Sequence, residues 1–134
     1  MKLLTRLALA AAGILSFGVP ATGRADCASA PTTAEIVTCL QRELAGHEET
    51  LADLASRLEA RLQGDRALLF KNASYAFQGF RFASCSSARS LYPNGSMAPV
   101  VFLQCMTSTT EWRIRELRTT YEEALEITAP PDSG

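Results

Sequence analysis

Four cysteines and a single histidine are the residues whose chemistry could define this protein. They are Cys27, Cys39, Cys85, Cys105 and His47. A zinc finger or ribbon needs short paired spacings such as Cys-x-x-Cys, and covalent haem needs Cys-x-x-Cys-His; the sequence contains neither pattern. A catalytic thiol needs a base beside it, and the only histidine falls on the apolar seam of a predicted helix. We therefore expect no metal, no cofactor and no catalytic residue, and a protein that is not an enzyme.

The first 25 residues predict export. Lys2 and Arg6 precede an apolar stretch, Leu7–Val19, and Gly23-Arg24-Ala25 places small residues at the −3 and −1 positions of a cleavage site. The apolar stretch is shorter than the roughly 20 residues that a membrane-spanning helix needs. We expect a signal peptide over residues 1–25, no stable membrane anchor after its cleavage, and a periplasmic or secreted protein.

Two long helices are predicted in the first half of the remaining chain. The string Thr-Thr-Ala-Glu at 32–35 fits a capping box, and leucines with alternating heptad-like spacing follow it, at Leu40, Leu44, Leu51, Leu54 and Leu58. This pattern predicts a helix over about 33–63, which ends at Gly64. Asp65 is expected to cap a second, antiparallel helix. Its predicted apolar seam runs through Leu69, Ala73, Ala76, Phe80 and Ala83.

A third helix is predicted after the strong turn sequence Pro93-Asn94-Gly95. Ser96 is expected to cap this helix, which tolerates Pro99 in its first turn and continues to about Ile127. The fold class is then all-α, an up-down-up bundle of three long helices. We expect one domain over 26–127 and a disordered tail over 128–134.

The cysteines fall toward one end of this bundle. An even number of cysteines in a short exported domain predicts two disulfides. Three connectivities are possible, and the clustering forbids none outright. We expect Cys27–Cys39, which ties the lead-in to the first helix, and Cys85–Cys105, which closes the loop between the second and third helices. Each would stabilise the fold by about 2–4 kcal/mol.

The charge of the chain argues against nucleic acid as a partner. The predicted signal peptide contains three of the 13 basic residues and none of the 14 acidic ones, so the rest of the chain has a net charge of −4. Nucleic-acid-binding domains instead present basic patches. A mildly acidic protein is compatible with a basic protein partner.

Several motifs resemble the secreted four-cysteine domain at the N-terminus of LprI-type lysozyme inhibitors. The strings that carry the resemblance are Asp-Cys at 26–27, Phe-Gln-Gly-Phe-Arg-Phe-Ala-Ser-Cys at 77–85, Asn-Gly-Ser-Met-Ala-Pro at 94–99, and Cys105, Thr110, Arg113 and Leu117 in the pattern C-x4-T-x2-R-x3-L. Phe77 and Phe80 replace the Trp and Tyr that are usual in the family, so they keep the bulk but lose the polar N–H and O–H groups. The resemblance covers about Asp26–Leu117. It implies an exported helical domain with disulfides and, as an activity, lysozyme inhibition.

The motif residues on the second and third helices are expected to be structural. We expect Phe77 and Phe80 in the core, together with Thr110 and Arg113. Arg81 is expected to pack its aliphatic stem among the aromatic residues and to pair with an acid on another helix, such as Glu111 or Glu116. Trp112 lies off the main seam, where a half-buried rim position is expected.

The loop between the second and third helices is the best candidate for contact with a partner. It carries Tyr92, Asn94, Gly95 and Ser96 on a tight turn near a predicted disulfide. These observations favour a protein-binding module that blocks the cleft of a lysozyme-type peptidoglycan hydrolase. The alternative is a structural or envelope-stress accessory protein with no hydrolase target. The sequence leaves the oligomeric state open.

Overall fold

The structure, a computed structural model, describes residues 26–126 and is built from helices. A short 3-10 turn, Cys27–Ser29, leads into α1 (Thr33–Arg61), α2 (Asp65–Ser90), α3 (Ala98–Thr120) and a short α4 (Glu122–Glu126). No strand occurs in this described range. The predicted all-α fold with three long helices is confirmed. The signal peptide predicted over 1–25 and the tail predicted over 128–134 lie outside the described residues, as does Ile127.

The start of α1 follows the predicted capping box. The Thr32 hydroxyl oxygen accepts a hydrogen bond from the Glu35 backbone N–H at 3.2 Å and donates one to the Glu35 carboxylate at 2.7 Å. The start of α2 differs from the prediction. Asp65 is the first residue of the helix rather than its cap, and Gly64 occupies the N-cap position with φ +58°. Glycine adopts this left-handed backbone without steric cost.

The ends of α3 also differ from the sequence-based prediction. Met97, not Ser96, occupies the N-cap position, and Pro99 lies in the first turn as expected. The helix ends at Thr120 because Tyr121 leaves helical geometry, with φ −114° and ψ 24°. The short α4 that follows is held against α1, since Arg61 Nη1 donates to the carbonyls of residues 124 and 125 at 2.6 and 2.7 Å.

α3 is the central helix of the bundle. It packs along both α1 and α2, whereas α1 and α2 touch each other at few points despite the short turn that joins them. The two outer helices therefore diverge over most of their length. A cleft opens between them, with α3 as its floor.

The core consists of two apolar clusters. One lies at the end that holds the four cysteines, and its members are Cys27, Leu40, Leu44, Cys85, Val100, Leu103 and Met106. The other lies near the opposite end and contains Leu58, Phe70 and Leu117, with Leu51, Tyr121 and Leu125 packed against it. On α3, Thr107, Thr110 and Arg113 are buried between Met106 and Leu117. We refer to these buried polar residues as the polar layer; buried Leu54, Phe77 and Ile114 also lie outside the two clusters.

The buried face of α2 is not the predicted one. The predicted seam from Leu69 to Ala83 is exposed, including Leu69 and Phe80. The residues that face the bundle instead are Phe70, Ser74, Phe77, Arg81 and Cys85. This face also has helical spacing, with steps of 4, 3, 4 and 4, but two of its members are polar. Because α2 has a single extensive neighbour, its buried sector is narrow.

Candidate functional site

Both predicted disulfides are present, and they share one end of the bundle. Cys27 is bonded to Cys39 and Cys85 to Cys105, each with a Cα–Cα distance of 5.5 Å. No cysteine among residues 26–126 is free. All four pack in or against the same apolar cluster. We refer to this region as the disulfide end.

The loop predicted to contact a partner projects from the disulfide end. Every residue from 91 to 97 is exposed, with Leu91 at 77% and Tyr92 at 44% of their maximum accessibility. Asn94 adopts a left-handed backbone with φ +61°, which asparagine tolerates better than most residues. The Gly95 N–H donates to the Tyr92 carbonyl at 3.2 Å, and the Ala98 N–H donates to the Gly95 carbonyl at 3.1 Å. The loop is therefore an internally hydrogen-bonded turn.

Contacts between α2 and α3 fix the base of this loop. The Cys85–Cys105 disulfide joins the two helices behind it. The Phe82 and Phe102 rings meet edge to face with centroids 6.1 Å apart, and the Arg89 guanidinium lies 5.9 Å from the centre of the Phe102 ring. The disulfide and the edge-to-face aromatic pair thus hold together the end of α2 and the start of α3, which flank the loop.

The motif residues of α2 and α3 converge in the polar layer. Arg81 Nη1 donates to the Thr110 hydroxyl at 2.6 Å, and its Nη2 lies 3.1 Å from Glu48 Oε1 of α1. The Thr110 hydroxyl, fully buried, in turn donates to the Met106 carbonyl at 2.7 Å. One guanidinium therefore links all three long helices. Arg81 pairs with an acid on another helix, as predicted, but that acid is Glu48 and not one of the two examples named, Glu111 and Glu116.

A second arginine completes this cluster around an aromatic ring. The guanidinium groups of Arg81 and Arg113 lie 5.9 and 5.4 Å from the centre of the buried Phe77 ring. Arg113 also pairs with Glu116, one turn along α3. Two cations over one ring constitute a cation–π arrangement that needs no polar group on the ring. Phenylalanine at this position is therefore sufficient for the contact with both guanidinium groups.

The cluster forms part of the floor and walls of the cleft between α1 and α2. This cleft has a volume of about 280 Å³ and is lined by Glu48, Leu51, Ala52, Ala55, Ser74, Phe77, Gln78, Arg81, Arg113 and Leu117. Among the described residues, buried Arg81 Nε has no hydrogen-bond partner. Arg81 and Arg113 in this cleft are both paired with glutamates, so they are suited to structural support.

Phe80 does not join Phe77 in the core. It is 59% exposed, against 8% for Phe77, so the prediction that both are buried was wrong for Phe80. Trp112 is 51% exposed, and its ring lies 6.4 Å from the Phe77 ring at the edge of the cleft. The rim position expected for Trp112 agrees with this geometry.

Sequence reasoning missed the charged partners across the helices. Glu48 of α1 pairs with Arg81, and Glu111 of α3 lies 3.3 Å from His47 of α1. The signal that could have identified them is spacing. His47 lies on the leucine seam, which faces α3, and Glu48 lies next to it, at the cleft. His47 itself is half-buried, as expected.

One protein family matches this chain. The family is described as "Lysozyme inhibitor LprI", and its match extends over residues 24–117. The chain belongs to this family. No curated protein and no solved structure matches the chain.

The LprI family is named for inhibitors of lysozyme, and membership in it indicates a protein partner. The two disulfides, which form in oxidising compartments, indicate a location outside the cytoplasm. Within residues 26–126, no helix combines the length and apolar character needed to cross a membrane.

Proposed function

We propose that this LprI-family protein inhibits a lysozyme-type peptidoglycan hydrolase by inserting the loop at 91–96 into the substrate cleft of the enzyme. The observation that carries the proposal is the loop itself. It is exposed throughout, hydrogen-bonded internally and restrained at its base by the Cys85–Cys105 disulfide. A rigid loop loses little conformational entropy on binding, which favours affinity.

The side chains of the loop suit a cleft that normally binds sugars. Tyr92 offers an aromatic face and a hydroxyl, Asn94 offers an amide, and Ser96 offers a second hydroxyl, while Leu91 and Met97 add apolar area at the margins. Tyrosine is enriched among the residues that dominate protein interfaces. The inhibition is steric, because the loop occupies the site without reacting.

Charge and location are consistent with this target. The chain beyond residue 25 has a net charge of −4, which accelerates its encounter with a basic enzyme. We propose cleavage of a signal peptide after Ala25 and a periplasmic or secreted final location. The protein would then meet hydrolases that act on peptidoglycan in the same compartment.

A turbidity assay tests the proposal. Lysis of a bacterial cell-wall suspension by lysozymes of several classes is followed with the oxidised protein in increasing excess. We expect lysis by at least one class to slow to a plateau. Replacing Tyr92 by alanine should weaken the inhibition by about tenfold or more. The matched control is Tyr75→Ala, which removes a tyrosine from α2 that is even more exposed, at 62% against 44%, and should leave inhibition unchanged.

The opposite outcomes distinguish the alternatives. If no class of lysozyme slows at excess protein, the inhibitor proposal fails and the accessory-protein alternative is favoured. If lysozyme slows but Tyr92→Ala inhibits as well as the unmodified protein, the target is right and the loop is the wrong surface.

A further inference from the structure

A histidine and two glutamates meet between α1 and α3. Glu43 and His47 are four residues apart on α1, so their side chains lie on the same face of the helix. His47 Nε2 lies 3.3 Å from Glu111 Oε1 of α3, and one ligand atom from each of the three residues lies within 4.8 Å of the others. All three side chains are half-buried. They lie beside the polar layer.

The spacing of these atoms suits a small divalent metal ion. Zinc binds imidazole nitrogen and carboxylate oxygen at about 2.0–2.1 Å, so two ligands at a tetrahedral angle lie about 3.3 Å apart. His47 Nε2 and Glu111 Oε1 already have this separation. A carboxylate oxygen of Glu43 lies within 4.8 Å of both of these atoms and supplies the third ligand. Mixed imidazole and carboxylate ligands suit transition metals, whereas magnesium and calcium take oxygen ligands.

A buried hydroxyl near these three residues also favours a polar ligand at this place. Thr107 is 5% exposed, and its Oγ1 has no hydrogen-bond partner among residues 26–126. Its neighbours Thr109 and Thr110 both donate to the carbonyl four residues back, as helical threonines commonly do. Thr107 lies one turn before Glu111, and it lines a cavity of about 370 Å³ together with Glu43. Of the three proposed ligands only Glu43 lines this cavity, which has room for a water that the Thr107 hydroxyl can contact.

We infer that Glu43, His47 and Glu111 bind a divalent transition-metal ion of the zinc class, with water completing its coordination. The ion joins α1 to α3 beside the polar layer, near the disulfide end. The four cysteines are all in disulfides, so they supply no competing thiolates. His47 is the single histidine of the sequence, so any imidazole bound to the metal identifies this site.

Titration of the tag-free, oxidised protein with zinc chloride tests the inference. Calorimetry should give about one ion per chain, and magnesium chloride at the same concentration should give no measurable heat. The melting temperature should rise by an amount on the order of 10 °C at a hundredfold excess of zinc over Kd. X-ray absorption at the zinc edge should show a nitrogen and oxygen shell that contains one imidazole. A stoichiometry far below one, or a spectrum without imidazole, would overturn the inference.

Single substitutions locate the ligands. His47→Gln and Glu111→Gln should each lower zinc affinity by more than about 100-fold, since loss of mere outer-shell partners costs 10–100-fold. Glu49→Gln removes an exposed acid from the same helix and should leave the affinity unchanged. Circular dichroism checks that each variant is folded. If His47→Gln does not fold, the zinc affinity of Glu111→Gln is used to test the site. Equal affinity in the control and ligand variants would contradict the site. None of these measurements involves a hydrolase, so their outcome is independent of the proposed function.

Discussion

Replacement of Thr110 by valine is predicted to destabilise the protein more than any exposed threonine replacement. Valine keeps the shape of the side chain but removes the hydroxyl that accepts from Arg81 Nη1 at 2.6 Å. Arg81 is largely buried, and its Nε is already without a hydrogen-bond partner among the described residues, so water can compensate little. Loss of a hydrogen bond to a charged group costs about 1.5–3 kcal/mol. The melting temperature should fall by at least about 6 °C.

Chemical denaturation followed by circular dichroism measures this change. The matched control is Thr119→Val on the same helix. The Thr119 hydroxyl also donates to a carbonyl four residues back, but the residue is exposed, so its free energy of unfolding should change by less than about 0.5 kcal/mol. A double-mutant cycle with Arg81→Met should show a coupling of about 1 kcal/mol or more. Equal effects of the two threonine substitutions, or zero coupling, would refute the structural role assigned to Arg81.

Two further pairs of substitutions test the fold. Phe77→Ala should destabilise the protein by about 3–5 kcal/mol, whereas Phe80→Ala should cost less than about 1 kcal/mol, because only Phe77 is buried; equal losses in urea denaturation would contradict the assigned face of α2. Gly64→Ala should destabilise the protein by about 1–3 kcal/mol, because φ at this residue is +58°. Gly46→Ala should stabilise the protein by about 0.5–1 kcal/mol, because this residue lies in the middle of α1 and the added methyl group meets open space. Thermal melts measure both, and a gain at Gly64 would contradict the described turn.

The sequence was sufficient to predict α1 and the disulfides. The capping box at Thr32 and the leucine spacing are strong local signals, and both describe the helix that the structure contains. An expected export signal predicts two disulfides, and the order of the three helices brings the cysteines to one end. These signals leave three connectivities open, and the structure contains the expected one. These features depend on residues that are near one another in the chain or on simple topology.

The orientation of α2 could not be predicted, because two competing stripes run along it. The apolar stripe that includes Leu69 and Phe80 has regular helical spacing and no charge. The stripe that is buried includes Ser74 and Arg81, so hydrophobicity alone favours the wrong one. Arg81 is tolerated inside because Thr110 and Glu48 satisfy it, and both partners lie far away in sequence.

The incorrectly predicted helix boundaries also result from contacts that a local sequence pattern does not show. Ser96 is a good cap by residue type, but the turn through Asn94 and Gly95 begins α3 after Met97. Likewise the sequence favours a continuous helix to residue 127, whereas Arg61 of α1 binds the carbonyls of α4 after a break at Tyr121. Contacts between distant segments decide these ends, and a local pattern does not contain them.

The exposed apolar face of α2 is a second candidate surface for contact with a partner. Leu68, Leu69, Tyr75, Phe80 and Phe82 are all exposed on this helix. They offer more apolar area than the loop, and one of them, Phe82, packs against Phe102. Any test of the contact surface must therefore report on both regions in the same experiment.

Nuclear magnetic resonance of the isotope-labelled, oxidised protein with an unlabelled lysozyme-type hydrolase is that test. The backbone amides of Leu91 to Met97 that carry an N–H should shift or broaden most on addition of the enzyme, and those of Leu68 to Phe82 should change little. Shifts confined to α2, or spectra unchanged by any lysozyme that the protein slows, would contradict the claim that the loop occupies the cleft.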